Sequence, residues 1–245
     1  MAQAKAKIRL YVQAPLGPGQ QVALSRDQAH YLFGVMRQGV GDAVLIFNGT
    51  DGEWLAEVAE AGKRAGVLVC DRQTAPQREA PDLWLCFAPI KKARTDFIAE
   101  KACEMGVRCL VPVFTRHTNS ERVRCDRLQA HAIEAAEQCG ITSVPEVTEA
   151  VTLDKLLDHW PTGRQILFCD ETGPRPPAAD VLKRAGKGPW AVLVGPEGGF
   201  SQDEADRLHK MPQAHSVSLG PRILRADTAA VAALTIWQTV MGDWT

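Results

Sequence analysis

From residue 83 onward the sequence alternates short, saturated apolar runs with longer segments of helical period. The runs are LWLCFAPI, VRCLVPVF, RQILFCD, WAVLVG and HSVSLG; the helical segments are RTDFIAEKACEMG, CDRLQAHAIEAAEQCG, SQDEADRLHKM and TAAVAALTIWQTVMG. A strand that is apolar on both sides must be covered on both sides, and strands separated by helices return in the same direction. The pattern predicts an α/β unit with a mostly parallel sheet between two layers of helices. In such a sheet ligands bind beyond the carboxyl ends of the strands. The loops after RQILFC, AVLV and HSVS are therefore the places to look for chemistry.

The first part of the chain reads differently. IRLYV, DAVLIFNGTDGEWLAEVAEA and AGVLVC are short alternating runs, punctuated by Asn48-Gly49 and Asp51-Gly52, which favour tight reversals. Between them, SRDQAHYLFGVMRQGVGD starts a helix at an N-cap, Ser25, carries His30, Phe33, Val35 and Met36, and stops at Gly39. One helix among short strands predicts a small β-barrel. The stretch DRQTAPQREAPDL, residues 71–83, is polar, contains Pro76 and Pro81 and has no periodicity, so it reads as the linker. The domain reading is 1–76 for the barrel and 77–245 for the α/β unit, consistent with a length of 245 residues.

Composition narrows the class of partner. A net charge of -1 rules out a molecule-wide basic field, so any nucleic-acid surface must be local. One such region exists: residues 88–128 hold nine Lys or Arg against five Asp or Glu. The seven cysteines are scattered and never spaced C-x-x-C, which suggests neither a disulfide framework nor a metal site. No apolar stretch is long enough for a bilayer, and the basic start is followed by no apolar signal region, so the expected location is cytoplasmic, with no membrane partner.

The loop GPEGGFSQDE carries three glycines beside Glu197 and ends in Ser201 with Glu204 three residues later, a capping box that fixes a helix start. It lacks the lysine of a nucleoside triphosphate loop, and no G-x-G-x-x-G follows an early strand. Glu197 repels phosphate but suits a cation or a ribose. The loop LGPRILRADTAA sets Arg222 and Arg225 around Ile223 and Leu224, before a helix whose N-terminus is expected near Asp227 or Thr228. The third loop, Asp170 to Gly173, is ordinary in composition.

LVGPEGGFSQDE followed by LGPRILRADTAA closely resembles the RsmE family, the 16S ribosomal RNA uracil-N3 methyltransferases of the SPOUT superfamily. HYLFGVMRQGVGD, LIFNGTDGEWLAEV, KKARTDFIAEKACEMGV and HAIEAAEQCG agree in order, so the resemblance covers nearly the whole chain. It implies an N-terminal PUA-like RNA-binding barrel and a C-terminal domain tied in a trefoil knot. It further implies S-adenosylmethionine held by the knot loops, a homodimer, and 16S rRNA or the small ribosomal subunit as partner. Carried onto this sequence, the cofactor residues are Leu193, Gly195, Glu197, Gly198, Gly199, Leu219, Gly220, Ile223, Leu224 and Ala229. Two positions depart from the family pattern: Asp227 stands where a glutamate is usual, and Ile141 where an arginine commonly follows EQCG.

The chemistry asks for two helpers. N3 of uracil becomes a nucleophile when its proton leaves and the charge spreads onto the flanking carbonyls. Arg222 or Arg225 is expected to stabilise that charge, and Asp227 or Glu197 to accept the proton. Because N3 lies on the Watson–Crick edge, the base must be unpaired or extruded. RNA contacts are expected from Lys5, Lys7 and Arg9 at the start, from Lys91, Lys92 and Arg94, and from Arg116 and His117, with Arg122, Arg124 and Arg127 as a basic stretch that also reads as a solvated face. His30, His131, His159, His209 and His215 read as helix or surface residues. Two alternatives stand beside this reading: a knotted methyltransferase acting on another RNA site, and a non-catalytic ribosome-assembly factor that keeps the pocket.

Overall fold

The computed structural model describes residues 6–244, so Lys5 lies outside the described residues. The chain divides into two compact units. One comprises residues 1–79 with 136–144, the other residues 80–135 with 145–245.

The first unit is a five-stranded sheet in the order β1-β3-β4-β5-β2, with β1 (Arg9–Tyr11), β2 (Gln21–Ala23), β3 (Ala43–Phe47), β4 (Glu53–Ala61) and β5 (Gly66–Ala75). Pairing is antiparallel except between β1 and β3. Period-two alternation sends Leu10, Val22, Val44, Ile46, Trp54, Val58 and Leu68 into one core. Helix α1 (Arg26–Ala29) starts at Ser25 with the full capping box to Gln28. The stretch expected to continue helical to Gly39 instead loosens into one turn of π-helix, His30–Val35. It stops there because Arg37 takes a left-handed conformation, φ 57°, which ends the hydrogen-bonded ladder. The expected linker is shorter than read: β5 runs on to Ala75, its polar residues facing solvent on an exposed strand rather than lying in a loop.

The second unit is a parallel sheet in the order β12-β10-β11-β6-β7-β8, with a short β9 also on β7. Its strands are β6 (Leu83–Phe87), β7 (Cys109–Phe114), β8 (Glu146–Val147), β9 (Val151–Thr152), β10 (Gln165–Cys169), β11 (Trp190–Val194) and β12 (Ala214–Val217). The outer partner of β7 is split: β8 pairs Cys109 and Leu110, and β9 pairs Val113 and Phe114. Pro112 lies at the break and has no N–H to give to a ladder.

The helices are α2 (Lys92–Glu104), α3 (Cys125–Cys139), α4 (Leu153–Asp158), α5 (Ala178–Ala185), α6 (Gln202–Lys210) and α7 (Ala226–Val240). Leu83, Leu85, Leu167, Trp190 and Val192 face one side, under Ile98 and Ala102 of α2, Leu182 of α5 and Leu234 of α7. Cys86, Ile166, Phe168, Ala191 and Leu193 face the other, under Leu153 and Leu157 of α4 and Leu208 of α6. The sheet is thus covered on both faces, as its continuous apolar strands require. Two of these helices, α4 and α5, are short, and their sequence pattern did not separate them from loop.

Candidate active site

Strands β12, β10 and β11 are neighbours in the sheet and end at Val217, Cys169 and Val194. The three loops that leave these ends therefore meet over one rim, and together they line a cavity of about 400 Å³. Gly195, Glu197, Gly199, Leu219, Gly220, Ile223, Leu224 and Ala229 line it, as do Arg222 and Arg225. Two expected cofactor residues do not. Leu193 is 2% exposed and its side chain packs into the core on the α6 side of the sheet. Gly198 turns away onto His117: a Cβ at that position would stand 3.1 Å from the His117 Cβ.

The glycines of this loop are required by the protein's own packing. A Cβ on Gly195 would stand 2.7 Å from the Phe200 ring, and one on Gly199 would stand 2.8 Å from the Glu171 carboxylate, at φ 66°. Phe200 in turn packs edge-on against Phe168 beneath the loop. The loop's exit is fixed by the capping box: Ser201 caps α6, and Glu204 accepts from the Ser201 N–H at 2.8 Å and from the Arg116 N–H at 2.9 Å. Glu204 therefore ties the loop after β7 to the start of α6. His117 Nδ1 bonds the Gly198 carbonyl oxygen at 2.9 Å, a second tie between the same loops.

The ordinary-looking third loop holds the most strongly organised ionisable group. Asp170 is buried at the end of β10 and accepts from Thr172 Oγ1 (2.6 Å), the Thr172 N–H (2.9 Å), Arg175 Nε (2.7 Å) and His209 Nε2 (2.9 Å). Burial alone pushes its pKa up, but the hydrogen bonds from Thr172, His209 and Arg175 outweigh it and hold the carboxyl at about 2. His209, read from sequence as a helix or surface residue, is thus a structural partner of the cavity wall. The acid directly after a saturated strand was a visible signal. Its partner on α6 lies 39 residues away, and only the fold brings it near.

Helix α7 starts at Ala226, one or two residues before the expected Asp227 or Thr228. Arg225 is the N-cap, with extended backbone, and its side chain makes no capping bond and stays exposed at the cavity. Asp227 sits in the first turn, where a carboxylate favours the helix N-terminus. Its Oδ1 accepts from the Thr228 N–H at 3.0 Å and lies 3.6 Å from Arg94 Nη1. Asp227 does not line the cavity, whereas Glu197 does. Of the expected RNA contacts, Lys91, Lys92, Arg116 and His117 are exposed, and Arg94 is half-buried against Asp227.

Arg9, expected to contact RNA, is engaged within the first unit. It ion-pairs Glu53 at 2.6 Å, donates to the carbonyls of Ala136, Glu137 and Ile141, and stacks on Phe47 at 4.3 Å. Four of the five guanidinium N–H groups are engaged inside its own unit, which leaves at most one for a phosphate.

Among the described residues no His, Cys, Asp and Glu groups cluster as a metal site would need, and no helix is long and apolar enough to cross a membrane.

Residues 78–238 match the RNA methyltransferase domain family, and residues 24–69 the RNA methyltransferase PUA domain family. The chain is 30% identical over 228 residues to ribosomal RNA small subunit methyltransferase E of Rickettsia conorii, covering 92% of this chain and 93% of that protein. It is 27% identical to the protein of the same name from Buchnera aphidicola (strain APS), over 96% of this chain and 94% of the other. Among solved structures, ribosomal RNA small subunit methyltransferase E of Neisseria gonorrhoeae, bound to S-adenosyl methionine, aligns with a TM-score of 0.87 and 27% identity, over 97% of this chain and 99% of that one. Two matching domains in the order of the two units, together with relatives aligned almost end to end, show that this chain belongs to the RNA methyltransferase family of ribosomal RNA small subunit methyltransferase E.

Proposed function

We propose that this protein methylates N3 of a specific uridine in the 16S RNA of the small ribosomal subunit, with S-adenosylmethionine as the methyl donor. The observation that carries this is the meeting of the 195–200 and 219–225 loops on one cavity with Arg222 and Arg225 at its exposed edge. The cavity suits the donor. Its volume is within the range of about 300–1,000 Å³ usual for small-ligand sites, most of its lining residues stand on loops, and the carboxylates of Glu171 and Glu197 are available to ribose hydroxyls or a sulfonium. Gly195, Leu219, Gly220, Leu224 and Ala229 would hold the donor, which supplies an electrophilic methyl group on sulfur.

This chain's residues then have two tasks. Arg225, presented by the start of α7, is placed to stabilise negative charge on a uracil carbonyl oxygen, with Arg222 as the second cation. Glu197 and Asp227 are the two carboxylates that can accept the N3 proton. Glu197 faces the cavity directly, while Asp227 is held by Arg94 and reaches the base only beside Arg225. A trefoil knot made from the two signature loops, a homodimer and a cytoplasmic location belong to the same reading. Their support is the resemblance of those loops to the family and the intracellular place of the substrate.

The test is methyl transfer to purified small subunits and to naked 16S RNA, with the product nucleoside identified by mass spectrometry. 3-Methyluridine is the expected product. Another methylated nucleoside would move the reading to a different RNA position, and cofactor binding without transfer would favour the assembly factor.

A further inference from the structure

A second cavity, of about 300 Å³, opens in the same unit between the first turns of α2 and α3. Its floor is apolar, made by Pro89, Ile90, Val123 and Leu128, and its rim carries Lys92, Arg122, Arg124 and Arg127 against one carboxylate, Asp96. The charges are unequally committed. Arg127 is bound to Asp96 through two bonds of 3.0 and 2.6 Å, and Arg124 is bound to Asp126. Lys92 and Arg122 have no carboxylate partner among the described residues, so the rim holds two uncompensated cations. Ser120 and Thr95, the hydroxyls at the rim, are occupied with the carbonyls of Arg122 and Ile90.

An apolar floor below a doubly cationic rim fits a nucleotide. A bare anion leaves the floor unused, and an apolar ligand leaves the cations unused. The volume is at the lower end of the range for small-ligand sites, enough for one base and its sugar. Both helix N-termini at the walls add favourable potential for a phosphate.

The cavity also neighbours the proposed active site along one helix turn: Lys92 is at its rim, and Arg94, two residues on, touches Asp227 at the start of α7. We infer that this cavity receives a splayed-out nucleotide of the substrate RNA flanking the target. Its base lies on Val123 and Leu128, and its phosphate on Lys92 and Arg122. Single-stranded RNA is commonly read in this way, by bases turned out of the stack. The inference rests on the proposed function for its occupant, but the ligand chemistry, a nucleoside with a phosphate, stands on the cavity alone.

Two measurements separate those layers. In the first, the full-length protein is titrated with uridine 5′-monophosphate, uridine and inorganic phosphate while backbone amide shifts are followed. Saturable shifts at 89–96 and 120–128 with the monophosphate are expected, at least about 10-fold tighter than with phosphate or uridine, and lost in Arg122→Ala. Equal affinity for inorganic phosphate, or no shifts in these segments, overturns the nucleotide site.

In the second, methyl transfer to small-subunit RNA is measured for Arg122→Ala and Arg122→Lys. Arg122→Ala should raise the RNA KM about 10-fold with kcat and cofactor affinity unchanged. It should also reduce the salt slope of RNA binding by about one phosphate's share, near 0.7 for a single strand, and Arg122→Lys should restore most of the affinity. An unchanged KM and salt slope in Arg122→Ala overturns RNA as the occupant. If the wild-type protein transfers no methyl group to RNA, the proposed function fails, and the first titration still reads the cavity.

Discussion

At the residue scale the site separates groups that act on a ligand from groups that hold the walls. Arg225 is exposed at the cavity and makes no capping bond, so its removal should cost chemistry and little else. Arg225→Ala is expected to abolish methyl transfer while cofactor binding stays measurable by calorimetry; full activity in that variant would remove it from the mechanism. Asp170 is the opposite case. Its pKa is held at about 2, below the ordinary 3.8 of an aspartate, so its ionised form stabilises the fold above pH 4 and that contribution disappears as pH falls from 4 towards 2. Asp170→Asn should lower stability at pH 7 by about 2 kcal/mol in urea unfolding. The difference from the wild type should shrink as pH falls from 4 and vanish only below pH 2, where the wild-type carboxyl is itself protonated. The acid itself was legible, standing directly after ILFC. Its burial and its bond to His209 were not, because a histidine on a polar helix gives no sign of which element that helix will cover.

At the element scale the two signature loops were legible because their compositions are unusual, and their helix starts follow local rules. The Ser201 and Glu204 capping box is present as the sequence requires, and Ser201→Ala should cost about 1 kcal/mol of stability. Calorimetric unfolding with and without cofactor checks whether that loss stays confined to α6 or also loosens the loop. The glycines had a further reason that sequence could not give. Gly195→Ala would force the Phe200 ring off its packing against Phe168, moving the wall that faces the ligand. Cofactor affinity in that variant is expected to fall about 10-fold or more by calorimetry, a cost of at least about 1.4 kcal/mol, without loss of helix content by circular dichroism. The start of α7 lies one or two residues before Asp227 or Thr228, the residues whose capping types drew the expectation. The backbone turns helical already at Ala226, leaving Asp227 free to meet Arg94.

At the scale of the whole molecule, sequence distance hides the decisive contacts. Arg9 reads as one of several basic residues near the start, yet it bonds carbonyls of residues 136–141 and holds that segment in the first unit. Arg9→Ala is expected to destabilise the protein by about 3 kcal/mol, because it leaves Glu53 half-buried without its partner. The salt dependence of RNA binding should stay unchanged, which distinguishes a structural arginine from a phosphate contact. The sequence alone determined the parallel sheet and its two covered faces, since saturated strands between helices leave no other way to remove apolar surface from water. It also determined the sites of its loops, since turns and caps are local. The strand order, which sets β10 between β11 and β12, was decided by the tertiary structure, and with it the meeting of three distant loops on one cavity. That order depends on pairings between segments far apart in the chain, and no residue's own chemistry encodes which neighbour its strand will find.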